Sequence, residues 1–356
     1  MRTLIFSQRE EKKLKMAVRA AKLHEYLKKN NVTTIFLPGF NFRRITLDMM
    51  INYLKLFLFI LTKNKDDVVL FENERQLRLV KFFKNFSFKL ALDIRDNRAL
   101  QRSAYQLDDG SEKINMIKRT LLQNIELCDY VFTVSHSCKE LYPKKYHHKI
   151  FVVENASDPS LFKYTDLPHD FKVGFVSGIA PGRGVELLID AMQRVKKKVP
   201  SVTLSIAGTP VLQSEDGINY YKELKKRFGC EWIIFRDDVY YSLNASHFLQ
   251  GCFLTVIPHP DHIYYHTTLP VKLFDYLACG RPVVATNCKE TARILRSHEC
   301  GLVADFNAQD LAEKIIQLLS NRELALRMGA NGRKVIESIY NWDTMAKKLL
   351  KVVSGQ

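Results

Sequence analysis

Residues 269–287 read LPVKLFDYLACGRPVVATN, and their reading decides the fold. Val271, Phe274, Leu277 and Ala278 fall at helical spacing, which predicts a helix over 270–278. Gly280 stops that helix, Pro282 forbids its return, and Val283-Val284-Ala285 reads as a short buried strand. The unit is a helix that feeds tightly into a strand. Lys272 lies three residues before Asp275, so on a helix the two share a face and reach the same place. The plain alternative is an exposed ion pair, stabilising by about half a kcal/mol or less.

Outward from this segment the chain alternates strands with helices. Toward the N-terminus the second half reads as a strand at 171–176, the loop SGIAPGRG at 177–184, an amphipathic helix at 185–199 and strands at 202–207, 232–235 and 253–257. Beyond the segment come a last strand at 301–304 and helices starting at Asp310, Arg322 and Trp342. The first half shows the same alternation, with strands at 3–7, 32–37, 68–71 and 88–94 and helices at 11–29 and 74–84, and the runs 121–127, 130–134 and 151–153 finish it. A polar stretch with Pro159 and Pro168 marks a linker within 158–171. The expected fold class is therefore α/β, two doubly wound Rossmann-like domains at 1–165 and 166–340, followed by a terminal helix within 341–356.

Composition bounds the answer. The 356 residues suit two cores, and 46% apolar with 26% charged residues is the balance of a globular protein. Seven cysteines form no Cys-x-x-Cys pair and read as reduced, mostly buried thiols of a cytoplasmic protein. No signal peptide is evident, because the apolar run 3–6 is short and soon meets charge. The net charge is +16, of which +11 falls in residues 1–166. Such a basic half attracts an anionic membrane surface or a phosphorylated partner, or simply aids solubility. The most apolar run, LDMMINYLKLFLFIL at 47–61, is too short and too charged to span a bilayer. It reads as a core helix, with Met49, Met50 and Phe57 as candidates for an interfacial patch.

Candidate site residues follow from placement. Gly178 and Gly184 let the backbone before the 185–199 helix come close to a phosphate, and that helix start adds partial positive charge. Arg183 stands in the same loop with a planar fork suited to phosphate. Asp96 follows the 88–94 strand, where ligands of open α/β sheets bind, and a carboxylate there can serve as general base on an acceptor hydroxyl; the alternative is a helix cap or a pair with Arg98. Arg9, in the loop 8–10, reads as an exposed charge. His259, His262 and His266 lie close together in sequence, but the loop lacks the frame that would aim three rings at a metal.

The pattern Pro-x-Lys-x-Phe-Asp-Tyr-x-Ala-x-Gly-x-Pro-Val-Val-Ala at 270–285 resembles the nucleotide-sugar signature of glycosyltransferase family 4, also called glycosyl transferases group 1. The resemblance implies a GT-B fold, the two domains facing across a cleft, with an acceptor-binding domain first and a nucleotide-sugar-binding domain second. It implies a transferase moving a sugar from a UDP- or GDP-linked donor to a glycan or lipid-linked acceptor, retaining the anomeric configuration. Asp275 would hold the ribose, Arg183 and Lys272 the diphosphate, Thr209 the nucleoside, and His266, Thr267 and Thr268 would donate to the phosphate and sugar. No cofactor and no metal site is implied. The terminal helix would pack back on the first domain. Two departures stand out: Thr267 replaces the first acid of the family's Glu-x7-Glu pair, and Ile179 stands where many relatives carry a second Arg.

Other classes share these features. A sugar-nucleotide epimerase of the same fold would act on the donor alone, and a protein that has lost catalysis would only bind sugar. A basic nucleic-acid-binding or DNA-glycosylating protein is a third class, against which stands the lack of a recognition helix or an RNA motif.

Overall fold

The computed structural model describes residues 2–7, 18–30, 32–38, 54, 57–62, 64, 67–71, 81–86, 88–106, 110–211, 214–239 and 244–355. Among them run strands β1 (Arg2–Ser7), β2 (Thr33–Pro38), β3 (Val68–Phe71), β4 (Lys89–Ile94), β5 (Tyr130–Thr133) and β6 (Ile150–Val152). A second set follows: β7 (Lys172–Val176), β8 (Thr203–Ala207), β9 (Ile233–Arg236), β10 (Leu254–Ile257), β11 (Val283–Thr286) and β12 (Gly301–Ala304). The first set forms a sheet of order β2-β1-β3-β4-β5-β6, the second a sheet of order β12-β11-β10-β7-β8-β9. Pairing between neighbours in both sheets is parallel.

The strands read as they do because helices cover parallel sheets. VVLF of β3, LTVI of β10 and VVAT of β11 are buried throughout, the continuous apolar run that burial on both faces demands. Between them the chain crosses over through helices such as Val185–Lys198, whose Val185, Leu188, Ile189, Met192 and Val195 face the core. The helix Val271–Ala278 ends where the sequence predicts, with Gly280 at φ +71°. A side chain at Gly280 would meet the Tyr164 ring at 2.5 Å as well as the left-handed backbone.

The chain divides into two compact units, one of Met1–Ala99, Asp109–Glu154 and Trp342–Gln356, the other of Leu100–Asp108 and Asn155–Asn341. The division at 154/155 precedes the linker expected within 158–171. Three arginines explain the difference by holding that segment's carbonyls to the second unit. Arg281 donates to Thr165 Oγ1 at 2.8 Å and to Asp166 O at 3.2 Å, Arg322 to Leu167 O and Pro168 O at 2.5 and 2.8 Å, and Arg333 to Phe162 O and Pro159 O at 2.8 and 3.3 Å.

In the first unit the helix Val18–Lys29 is pinned to β4 by a buried pair. Arg19 Nε donates to Asp93 Oδ2 at 2.8 Å, its Nη2 to Oδ1 at 3.0 Å and its Nη1 to the Glu154 carbonyl at 2.8 Å. The helix Trp342–Ser354 belongs to the same unit, where Lys348 Nζ meets Glu154 Oε2 at 2.7 Å and Asn30 Nδ2 meets Asp343 Oδ1 at 3.0 Å.

One expectation fails here. Residues 54 and 57–61 are helical, but Leu54, Phe57, Leu58 and Leu61 are 50 to 63% exposed and only Phe59 is buried. The apolar run is therefore not a core helix over its described part. Periodicity misled because the run is apolar on every side, so it names no face. Arg9, Met49, Met50 and most of the 74–84 helix lie outside the described residues. No helix among the described residues is long and apolar enough to cross a membrane.

Truncating Asp93 leaves a buried guanidinium without its carboxylate. Asp93→Ala is expected to cost about 3–5 kcal/mol in urea unfolding, whereas the double change Arg19→Met with Asp93→Leu should recover most of that loss.

Candidate functional site

The strand order of the second sheet reverses between β7 and β10, the topological switch point beyond whose carboxyl ends ligands of open α/β sheets bind. Ser177 follows β7 and His259 follows β10 at that point. Arg183 Nη2 and Lys272 Nζ both donate to Ser177 Oγ, each at 2.9 Å. Two cations thus share one hydroxyl, occupying both of its lone pairs and leaving its proton to be donated onward.

The backbone enforces this approach. Gly184 caps the helix Val185–Lys198 at φ +81°, and a Cβ there would lie 1.7 Å from the Pro258 carbonyl oxygen. The loop before the helix therefore packs against the end of β10. Lys272 reaches in from the helix Val271–Ala278, its Nζ 4.7 Å from the centroid of the Phe175 ring. Its buried ammonium is held well below its ordinary value by desolvation and then by the Arg183 charge.

Arg183 is itself positioned from elsewhere in the sequence. Its Nη1 donates to the Tyr105 hydroxyl, and its guanidinium lies 5.0 Å from the centroid of the Tyr105 ring. Tyr105 belongs to the stretch Leu100–Asp108, which is part of the second unit although β4 and β5 flank it in sequence. Gln101 Nε2 holds the same stretch by donating to the Tyr264 hydroxyl at 2.9 Å.

His259 is 3% exposed and stacks on Tyr265 at 4.2 Å, while Tyr265 donates to the Gly182 carbonyl at 2.7 Å. Burial, then Lys272 and Arg183, push the imidazole well down. The other two histidines of the loop turn to structural partners. His262 Nδ1 accepts from the Tyr264 amide at 3.1 Å; His266 Nε2 meets Asp261 Oδ1 at 2.7 Å and its Nδ1 accepts from the Lys289 amide at 3.1 Å. Both ring nitrogens of His266 are thus engaged within the protein. Among the described residues no cluster of three or more His, Cys, Asp or Glu could hold a metal ion.

Asp275 is 2% exposed and accepts from Ser157 Oγ at 2.6 Å. It does not pair with Lys272, so the exposed ion pair weighed above is absent. Thr268 closes the short helix Ile263–Thr267, and Thr267 Oγ1 donates back to the carbonyls of Ile263 and Tyr264 at 3.0 and 3.1 Å. The Thr209 carbonyl accepts from the Ile179 amide at 2.9 Å, and a side chain at Gly178 would meet Val211 Cγ2 at 2.4 Å. Asp96 lies in the first unit, two residues beyond β4. Ser177, Arg183, Gly184 and Lys272 therefore converge. Sequence reasoning missed Ser177, Tyr105 and His259; only the position of His259 after an apolar run could have pointed to it.

The donors Arg183, Lys272 and Ser177 thus gather at a sheet switch point, where ligands of open α/β sheets bind. Residues 160–335 match the family model described as Glycosyl transferases group 1. The chain is 27% identical over 186 residues to a GDP-mannose-dependent alpha-(1-6)-phosphatidylinositol monomannoside mannosyltransferase of Mycobacterium tuberculosis, covering 51% of this chain and 46% of that protein. It spans about half the length of that relative. A sucrose-phosphate synthase of Thermosynechococcus elongatus superposes with a TM-score of 0.75 at 15% identity, over 100% of this chain and 99% of the other. HepE of Anabaena in complex with UDP gives 0.71 at 14%, over 100% of both. The fold is GT-B. Residues 160–335 are thus of the glycosyl transferases group 1 type, within a chain of GT-B fold.

A buried lysine beside a like charge weakens the empty protein. Lys272→Met is expected to raise the stability of the ligand-free protein by about 1 kcal/mol in thermal unfolding, and added inorganic pyrophosphate is expected to stabilise the wild type but not this variant.

Proposed function

We propose that the chain is a glycosyltransferase that moves a sugar from a UDP- or GDP-linked donor to a glycan or lipid-linked acceptor. The single observation that carries this reading is the convergence of Arg183 and Lys272 on Ser177 Oγ at the switch point of the second sheet. A buried lysine and a half-buried arginine that meet over one neutral hydroxyl are suited to an anion held between them. In this reading the anion is the donor's diphosphate.

During transfer the bond from the sugar's anomeric carbon to the diphosphate oxygen breaks and a bond to the acceptor oxygen forms. Charge grows on the departing diphosphate, and Arg183, Lys272 and the Ser177 hydroxyl stabilise it where it develops. A divalent cation does this work in other transferases. Asp275, fixed by Ser157, accepts from the ribose hydroxyls, and Thr209 and Gly178 flank the nucleoside. Thr268 faces the sugar phosphate, and His266, committed to Asp261 and Lys289, shapes the loop there. Retention of configuration follows the family resemblance, with Asp96 as the acceptor-side base. A cytoplasmic location with the basic first half turned to an anionic membrane surface suits a lipid-linked acceptor such as the phosphatidylinositol mannoside in the mycobacterial relative's name.

Thr267 favours a second reading. Its hydroxyl is spent on its own helix, so this position supplies no carboxylate and presents no free donor to a sugar, which suits a protein that binds the nucleotide sugar without turning it over.

Calorimetric titration with UDP, GDP, UDP-glucose and GDP-mannose tests the donor site. One nucleotide is expected to bind at micromolar strength, with Asp275→Asn and Lys272→Met each weakening it at least about tenfold, or 1.4 kcal/mol. Lack of binding by all four sinks the reading. Binding without transfer to any glycan or lipid acceptor selects the second reading, and donor conversion without acceptor marks an epimerase.

A further inference from the structure

His259 is a buried imidazole whose two ring nitrogens find no hydrogen-bond partner among the described residues. Such a group is costly to keep, since buried polar atoms in folded proteins are nearly always paired. It is also held firmly in place. Thr286 Oγ1 donates to its carbonyl at 2.5 Å, its ring lies on Tyr265 with the planes 23° apart, and Tyr265 is tied to the Gly182 carbonyl. The charged groups that act on it are Lys272, from the helix Val271–Ala278, and Arg183, from the loop before Val185; no carboxylate is among them. Tyr265, the other titratable group against it, is itself pushed above its ordinary range by burial and stays neutral. A ring fixed in position, open at both nitrogens and flanked by two cations is poised for an anion that arrives from outside the protein.

We propose that His259 is a third contact for the anion held by Arg183 and Lys272, entering the complex as an imidazolium whose extra proton is taken from solvent. The proposal rests on the reading of this site as the seat of a nucleotide-sugar diphosphate. Without the ligand, desolvation and then the Lys272 and Arg183 charges disfavour the charged ring, holding it well below its ordinary value. A bound diphosphate reverses the local field, so the charged form becomes favoured and one N–H is donated to a phosphate oxygen. The proton balance is closed: one proton leaves the buffer and resides on the imidazole of the complex. Between the values of the empty and the filled site, affinity then rises as pH falls, by up to about tenfold per pH unit. The diphosphate of a nucleotide sugar is a diester without a titrating proton near neutrality, so any uptake belongs to the protein.

The test is calorimetry of UDP-glucose and GDP-mannose binding to the full chain at pH 7, in buffers of low and high ionisation enthalpy, for the wild type and for His259→Gln. The wild type is expected to take up a substantial fraction of one proton per ligand and to bind more tightly at pH 6.5 than at pH 8. His259→Gln should lose that uptake and flatten the pH profile. Equal uptake by the variant assigns the proton to another group, such as Lys272, and overturns the proposal. Tight wild-type binding with no uptake overturns it as well, without need of any variant. Failure of both sugar nucleotides to bind in every buffer is a different result, which removes the donor reading and this proposal together.

Discussion

Two cations brought to one hydroxyl in a buried place set the terms for the second unit. Arg183 and Lys272 reach Ser177 from opposite sides of a sheet switch point, one from the loop after β7 and one from the helix before β11. Their repulsion must be overcome by packing elsewhere. Gly184 lets that loop lie against the Pro258 carbonyl, Tyr105 takes one edge of the guanidinium, and Phe175 lies beneath the ammonium. The Tyr276 hydroxyl fastens the helix of Lys272 to β7 by accepting from the Val176 amide at 2.8 Å. Each contact is local and modest; together they fix two charges that would otherwise part.

Much of this was legible in the sequence. The continuous apolar strands, the helix 270–278 and its glycine stop depend on short-range sterics and periodicity, which a linear pattern records. Arg183 and Gly184 drew notice by residue type and place before a helix start, and Lys272 through the family-like pattern at 270–285. What escaped lies in long-range partners. Tyr105 comes from a stretch 78 residues from Arg183, and no local pattern marks it. Ser177 reads as one more polar loop residue until two cations are seen to point at it. His259 was read among three neighbouring histidines, and only the fold separates its buried, open ring from the two that serve structural partners. The run at 47–61 misled for the opposite reason, because its apolar stretch 56–61 carries no polar residue to mark an outer face.

Basic side chains in the second unit can be sorted by what they meet. Arg281 is fully buried, yet it donates to the carbonyls of Cys279, Gln250, Cys252, Thr165 and Asp166 and to the Thr165 hydroxyl. Arg333 likewise spreads over Ala278, Phe162 and Pro159. Such arginines complete the accounting of backbone acceptors that loops leave open, and their charge is dispersed over several dipoles. Their work is to hold chain segments together.

Lys272 is of the other kind. It meets one neutral hydroxyl already engaged by a second cation, and burial disfavours its charge. Nothing among the described residues requires a cation at that spot, since a methionine of similar length would pack against Phe175 without desolvating a charge. A costly group where an inexpensive one fits makes the position a candidate for function. The same logic reaches His259, whose open nitrogens have no use in the empty protein. What these groups share is a fitness for negative charge with several acceptor oxygens, and Ser177 and His259 both stand at the switch point of the second sheet.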